Sequence, residues 1–274
     1  MYFALNSNKK SNFYKYLIIP YFGILISLII IPILVVFIDS IQKPNPEHIF
    51  KVSFTLEYYY NFYTINYFVY ILLRSIAITI VSTFFLILIA YPLAYIVYKC
   101  NYAIQSILVL LINGTMWINM ILKIQSLIQI FTLIDDFFGI RILETNSAMI
   151  IGFVYVFLPY IFLSIFLIIS KIDSLWIESA QDLGANNKQI FTKIIFPLSI
   201  PGLATGVILI SLQIVTNLAV PKYLGPTNTT VIGELIENQT FLNGDIKSAS
   251  AIAINLSFLI FCILFFCKKT IKKI

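Results

Sequence analysis

Residues 75–98 read SIAITIVSTFFLILIAYPLAYIVY, twenty-four positions without a charge between Arg74 and Lys99. A helix rises about 1.5 Å per residue, so this stretch is long enough to cross a hydrocarbon layer of roughly 30 Å. Lipid offers the backbone no hydrogen-bond partner. A segment of this kind therefore spans as a helix, which satisfies every N–H and C=O internally.

The same pattern recurs along the chain. No charge lies between Lys15 and Asp39, Lys99 and Lys123, Glu144 and Lys171, Lys193 and Lys222, or Lys247 and Lys268. Six spans follow, predicted at 17–38, 76–98, 104–122, 147–170, 198–220 and 248–267. The predicted fold is all-α, one polytopic membrane domain covering 1–274. The composition agrees: 60 % of residues are hydrophobic and 11 % charged, whereas a soluble domain carries about 25 % charged residues. The first span is longer than a secretory core of about 7–15 residues and is expected to stay uncleaved. A further apolar stretch, 124–134, is too short to cross. With Lys123, Gln125 and Gln129 on its polar side, it is predicted to be interfacial or re-entrant.

Positive charge orients the spans. With both termini in the cytoplasm, the inner segments hold eleven of the eighteen cations and three of the twelve acids. The net charge of +6 is then a topology signal, and no nucleic-acid partner is expected. The only histidine, His48, lies in an outer loop that also carries Pro44 and Pro46. The chain shows no metal-ligand spacing, phosphate-binding loop or nucleophile–base pair. No catalytic residue, metal or cofactor is expected. The predicted spans hold no ionisable residue, which argues against ion-coupled transport, since such coupling uses intramembrane charges.

One inner loop, 171–197, stands apart. Asp173 or Ser174 can cap a helix over 175–183. Leu175, Ser179, Ala180 and Leu183 recur at helical spacing and give it a flat face. Gly184 follows where a left-handed residue ends a helix. Asn186 and Gln189 form a second capping pair, and Pro197 is expected to restart the chain at the membrane. Acids at Asp173, Glu178 and Asp182 oppose adsorption to an anionic leaflet, so the loop reads as a docking surface for a protein.

Glu178-Ser179-Ala180, then Gly184, Ile194 and Phe196-Pro197 resemble the cytoplasmic signature of ABC importer permeases: E-A-A, three residues, G, nine residues, I, one residue, L-P. Ser179 and Phe196 depart from it. The resemblance implies a type I importer permease in a bacterial inner membrane. It further implies that the loop holding Glu178, Ser179, Ala180, Asp182, Gly184, Ile194 and Pro197 couples to a pair of cytoplasmic ATP-binding subunits. A second homologous permease and a periplasmic substrate-binding protein are the other implied partners. A narrower likeness is to spermidine/putrescine permeases. It rests on Trp117-Ile118-Asn119, Val156-Phe157-Leu158-Pro159, Pro197 through Gly202 and Pro221 through Gly225. Gly225-Pro226 and Asp245-Ile246 depart from that group. Permeases for ferric iron, thiamine or sulfate share the frame and stay open as alternatives, as does a channel or carrier without an ATPase.

Neutral polar residues cluster within the third and fifth spans. They serve either helix-to-helix hydrogen bonding or a hydrated path. For the second role the candidates are Asn119, Gln213 and Asn217, with Trp117 and Tyr155 as aromatic faces for a cation. Outer acids such as Asp135, Glu144, Glu234, Glu237 and Asp245 are candidates to meet the binding protein or draw cations to the mouth.

Overall fold

The structure, a computed structural model, describes residues 18, 20–43 and 53–271. Leu17, Pro44, Pro46, His48 and the terminal lysines Lys9, Lys10, Lys15, Lys272 and Lys273 lie outside them.

The chain forms two compact units. The described residues of the first fall within Met1–Thr64 and Asn238–Phe258. Here α1 (Pro20–Ser40) exposes its apolar side chains, among them Phe22, Leu28 and Phe37, as a helix surrounded by lipid does. A two-residue antiparallel ladder follows, β1 (Gln42–Lys43) with β2 (Ser53–Phe54). Then comes α2 (Glu57–Thr64). Two contacts tie this unit together: Ser40 Oγ and Tyr59 OH lie 2.7 Å apart, and Tyr63 OH donates to Asn255 Oδ1 at 3.0 Å.

The second unit, within Ile65–Glu237 and Leu259–Ile274, holds the core. Its frame is α3 (Asn66–Lys99), α6 (Asn146–Ser170) and α8 (Asn187–Val215). Helices in lipid associate through close packing and hydrogen bonds rather than water exclusion. The sequence supplies both. A Cβ on Gly202 would stand 2.6 Å from Ile168 Cδ1, and one on Gly206 would stand 3.1 Å from Ser164 Cβ, so α8 lies tight on α6. Between α3 and α8, Tyr91 OH and Ser199 Oγ are 2.7 Å apart, and Thr83 Oγ1 and Ser211 Oγ are 3.2 Å apart. Leu86, Ala90, Ile161, Phe162 and Ile165 are fully enclosed. Pro92 and Pro159 lie within α3 and α6, and neither helix is broken there.

Three features depart from the sequence-based spans. The third interval does not continue to 122. α4 (Tyr102–Gly114) closes in a 3-10 turn, Thr115–Trp117, and α5 (Met120–Phe138) leaves at 101°. The cause is local: Ile118 is extended, and Asn119 caps α5 by accepting from Ile121 N at 2.8 Å. The apolar stretch 124–134 is thus the middle of a 19-residue helix, the second limb of a bent pair. Second, the fifth helix does not restart at Pro197. A π turn, Phe191–Ile195, joins the second loop helix to the span. The wider turn accommodates the N–H that proline lacks. Third, that helix ends at Val215, and residues 219–220 belong to a separate short helix, α9 (Ala219–Leu224).

α10 (Ile232–Glu237) and α11 (Ile246–Ile271) complete the chain. Among the described residues, four helices are individually long and apolar enough to cross a membrane, and the bent pair meets that standard jointly. α11 carries the sixth apolar interval, described as apolar over Ile246–Cys262.

Candidate functional site

The loop before α8 is built by its caps. Asp173 Oδ1 accepts from Leu175 N at 3.0 Å and starts α7 (Ser174–Asp182). Gly184 has φ +80°. Its N–H donates to Gln181 O at 2.8 Å, and Ala185 N donates to Ala180 O at 2.9 Å. That pair of bonds is the Schellman closure, which needs a left-handed residue at this position. Asn186 and Gln189 exchange bonds of 2.9 Å each, a complete capping box.

These caps set which side faces out. Ile177, Ala180, Ala185 and Ile194 pack toward the core. Leu175, Trp176, Glu178, Ser179, Asp182 and Leu183 are exposed, Leu183 at 89 %. Pro197 is exposed at the start of the span. Ala180 therefore belongs to the inner face of α7, while Trp176, which sequence reasoning passed over, belongs to the outer one. A Trp on an acid-flanked helix was the available signal.

A second site lies at the break between α4 and α5. A cavity of about 670 Å³ is lined by Trp117, Asn119, Lys123, Tyr160, Gln213 and Asn217, among others. Four of the five candidate path residues meet here. Tyr155 does not: α6 turns it away and presents Val156, Phe157 and Tyr160 instead. Trp117 is 85 % exposed. Asn217 Oδ1 accepts from Val220 N at 3.0 Å, so this side chain also starts α9. The lining sets the amides of Asn119, Gln213 and Asn217 and the hydroxyl of Thr216 among aromatic and aliphatic side chains, and it holds one charge. Lys123, in the first turns of α5, is 4 % exposed. Lys123 lies just beyond the third predicted span, at the head of the stretch expected to be interfacial or re-entrant.

Charges also gather on the loop between α8 and α11. Arg74 donates to Thr230 O at 2.8 Å and to Asn146 Oδ1 at 2.7 Å. Ser75 Oγ accepts from Ile232 N at 2.8 Å. Together they pin α10 to α3 and α6. Lys222 Nζ donates to Glu237 Oε1 at 2.8 Å. Burial, helped by nearby Glu237, raises the pKa of Glu234 above its ordinary 4.5, against the pull of the Val231 backbone bond, Arg74 and Lys222. A carboxyl with a raised folded pKa favours the fold while protonated, and that contribution fades as pH rises through the raised value. Glu234→Gln is accordingly expected to raise the melting temperature in detergent at neutral pH. It should also flatten the loss of stability above about pH 4.5. An unchanged pH profile would remove this role.

The bundle thus carries a capped, exposed loop at the foot of α8 and a cavity beside its far end. The chain belongs to the family of binding-protein-dependent transport system inner membrane components, which it matches over residues 17–270. It is 28 % identical over 268 residues to the spermidine/putrescine transport system permease protein PotB of Haemophilus influenzae, covering 93 % of each chain. To the protein of the same name in Escherichia coli it is 30 % identical over 239 residues, covering 83 % of this chain and 86 % of that one. Among solved structures, a bacterial ABC transporter involved in import of the acidic polysaccharide alginate superposes with a TM-score of 0.76 at 15 % identity, over 98 % of this chain and 99 % of that one. The methionine ABC transporter MetNI, in an inward-facing conformation, gives a TM-score of 0.59 at 20 % identity over 75 % and 96 %. The fold is that of ABC importer permeases.

Proposed function

We propose that this chain is a permease subunit of an ATP-driven importer that carries spermidine and putrescine into the cytoplasm. Six spans leave both termini on one side, and the excess of cations on the inner segments supports the cytoplasmic side. α7 docks on one of two ATP-binding subunits, and a second permease supplies the other half of the pathway. A periplasmic protein delivers the substrate to the outer loops, where Glu234, Glu237 and Asp245 meet it. The chain itself carries out no chemistry.

The observation that carries the substrate reading is the likeness to spermidine/putrescine permeases over more than four-fifths of the chain. The cavity supports it. Amides of Asn119, Gln213 and Asn217 can solvate an ammonium without the deep trap a carboxylate makes, and Trp117 and Tyr160 offer cation–π faces of about 0.5–2 kcal/mol. The proposed sequence of events is alternating access. ATP draws the two ATP-binding subunits together, α7 moves with them, and the cavity changes the side to which it opens.

The test is uptake into proteoliposomes holding the assembled importer and its binding protein. Radiolabelled spermidine is expected to accumulate with ATP, and ferric iron and thiamine are not. Uptake of either competitor in preference to spermidine would falsify the substrate reading and leave the importer reading standing.

A further inference from the structure

Lys123 is the one charged side chain buried among the described residues. Its Nζ makes no hydrogen bond and no ion pair within them, and no acidic side chain acts on it. Its stem is enclosed while Nζ opens on the cavity, a setting in which a facing negative group stabilises the charge. Its position adds to that demand. Met120 opens α5 after the Asn119 cap, so Lys123 stands beside the positive end of the helix dipole, where cations are disfavoured. The ammonium lines the cavity with Asn119, Tyr160, Gln213 and Asn217, none of which carries a charge. Among the described residues none supplies a facing negative charge, so one that stabilises Lys123 comes from across the cavity.

We infer that Lys123 pairs with a carboxylate contributed by the second permease subunit, across the pathway the two halves enclose. This rests on the importer reading of the previous section. The reasoning is charge complementarity: an ammonium and a helix N-terminus on the wall of one cavity present a surface that an anionic group complements. A lysine, as a compact ammonium on a flexible stem, can follow that group as the two halves shift. The pair joins the halves at the cavity where the substrate passes. Paired with Lys123, that carboxylate is neutralised, so the wall stays free of the deep trap a lone carboxylate makes.

The experiment uses the whole importer, purified with both permeases and both ATP-binding subunits. Lys123→Glu places two negative groups face to face. It is expected to lower the melting temperature of the complex by about 5 °C or more. Exchanging the facing carboxylate for lysine, found by substituting each acidic residue of the second permease's membrane segments in turn, is expected to restore it. Lys123→Gln, which keeps the polar stem, is expected to fall in between. If Lys123→Glu does not assemble alone, assembly rescued by a single charge exchange supports the pairing equally. Wild-type melting in both variants, or no exchange that restores the glutamate variant, overturns it. Restoration by added chloride or phosphate alone overturns it too, in favour of a bound anion. Melting is read without substrate, so a failure of the pairing is separate from a failure of spermidine uptake.

Discussion

Gly184→Val is expected to abolish ATP-driven uptake while leaving the membrane bundle folded. Nothing lies within 4 Å of a Cβ at this position, so no clash is involved. The cost is in the backbone. At φ +80° an L-residue is disfavoured by about 1–2 kcal/mol, and a β-branched one by more. Escape to an ordinary conformation breaks the bonds from Gly184 N and Ala185 N that close α7. Leu183 and Trp176 then leave the position from which they face a partner. A penalty of that size shifts the loop's conformational balance by about tenfold or more. Gly184→Ala should show a smaller loss of the same kind. The measurements are uptake in proteoliposomes and the ATP-binding subunit retained on purification. Uptake at the wild-type rate in the valine variant would count against docking through this loop.

Gln213→Leu is expected to reduce uptake about tenfold without weakening assembly. Its side chain is exposed to the cavity and makes no hydrogen bond within the described chain, so leucine leaves nothing internal unsatisfied. What changes is the wall met by a solvated cation, which loses an amide worth about 1.4 kcal/mol if uptake falls tenfold. Asn217→Leu is a different case. It also deletes the cap on Val220 N, so uptake and thermal stability should fall together. Comparing the two separates a path residue from a structural one. Unchanged uptake in Gln213→Leu removes this cavity from the pathway.

The capped loop was legible in the sequence because local chemistry decides it. Asp173, Gly184, Asn186 and Gln189 act on neighbours a few residues away, and each stands where its spacing put it. The spans were legible because charge is absent from them for a reason the solvent imposes. The break after Trp117 was not, because the interval from Lys99 to Lys123 carries no charge to mark a boundary within it. Only Asn119, a polar cap before an apolar run, marked it. Tyr155 and Tyr160 show a similar limit. Residues turn by about 100° each along a helix, so the face that meets the cavity is fixed by how α6 packs on α3 and α8, which no local pattern states. Lys123 was read as a boundary charge, and its burial arises only where α5 turns away from α4 at 101°.

The fusion of loop and span matters most for motion. From Asn187 to Val215 the backbone is one helix of 29 residues, roughly 40 Å at 1.5 Å per residue. A hydrogen-bonded rod of that length neither stretches nor shortens appreciably. A push or twist delivered at its foot has to emerge beside Gln213 at its head, with the delay of a lever rather than of a diffusing signal. The π turn at Phe191–Ile195 is where the rod can swivel, because its ladder is already wider there. Tyr91 and Tyr95 bear on Phe191 with ring centres 5.8 and 4.7 Å away, and form the bearing around that swivel. Packing of Phe191 against Tyr91 and Tyr95 therefore bears on how a movement of the loop carries along the helix to the Gln213 end.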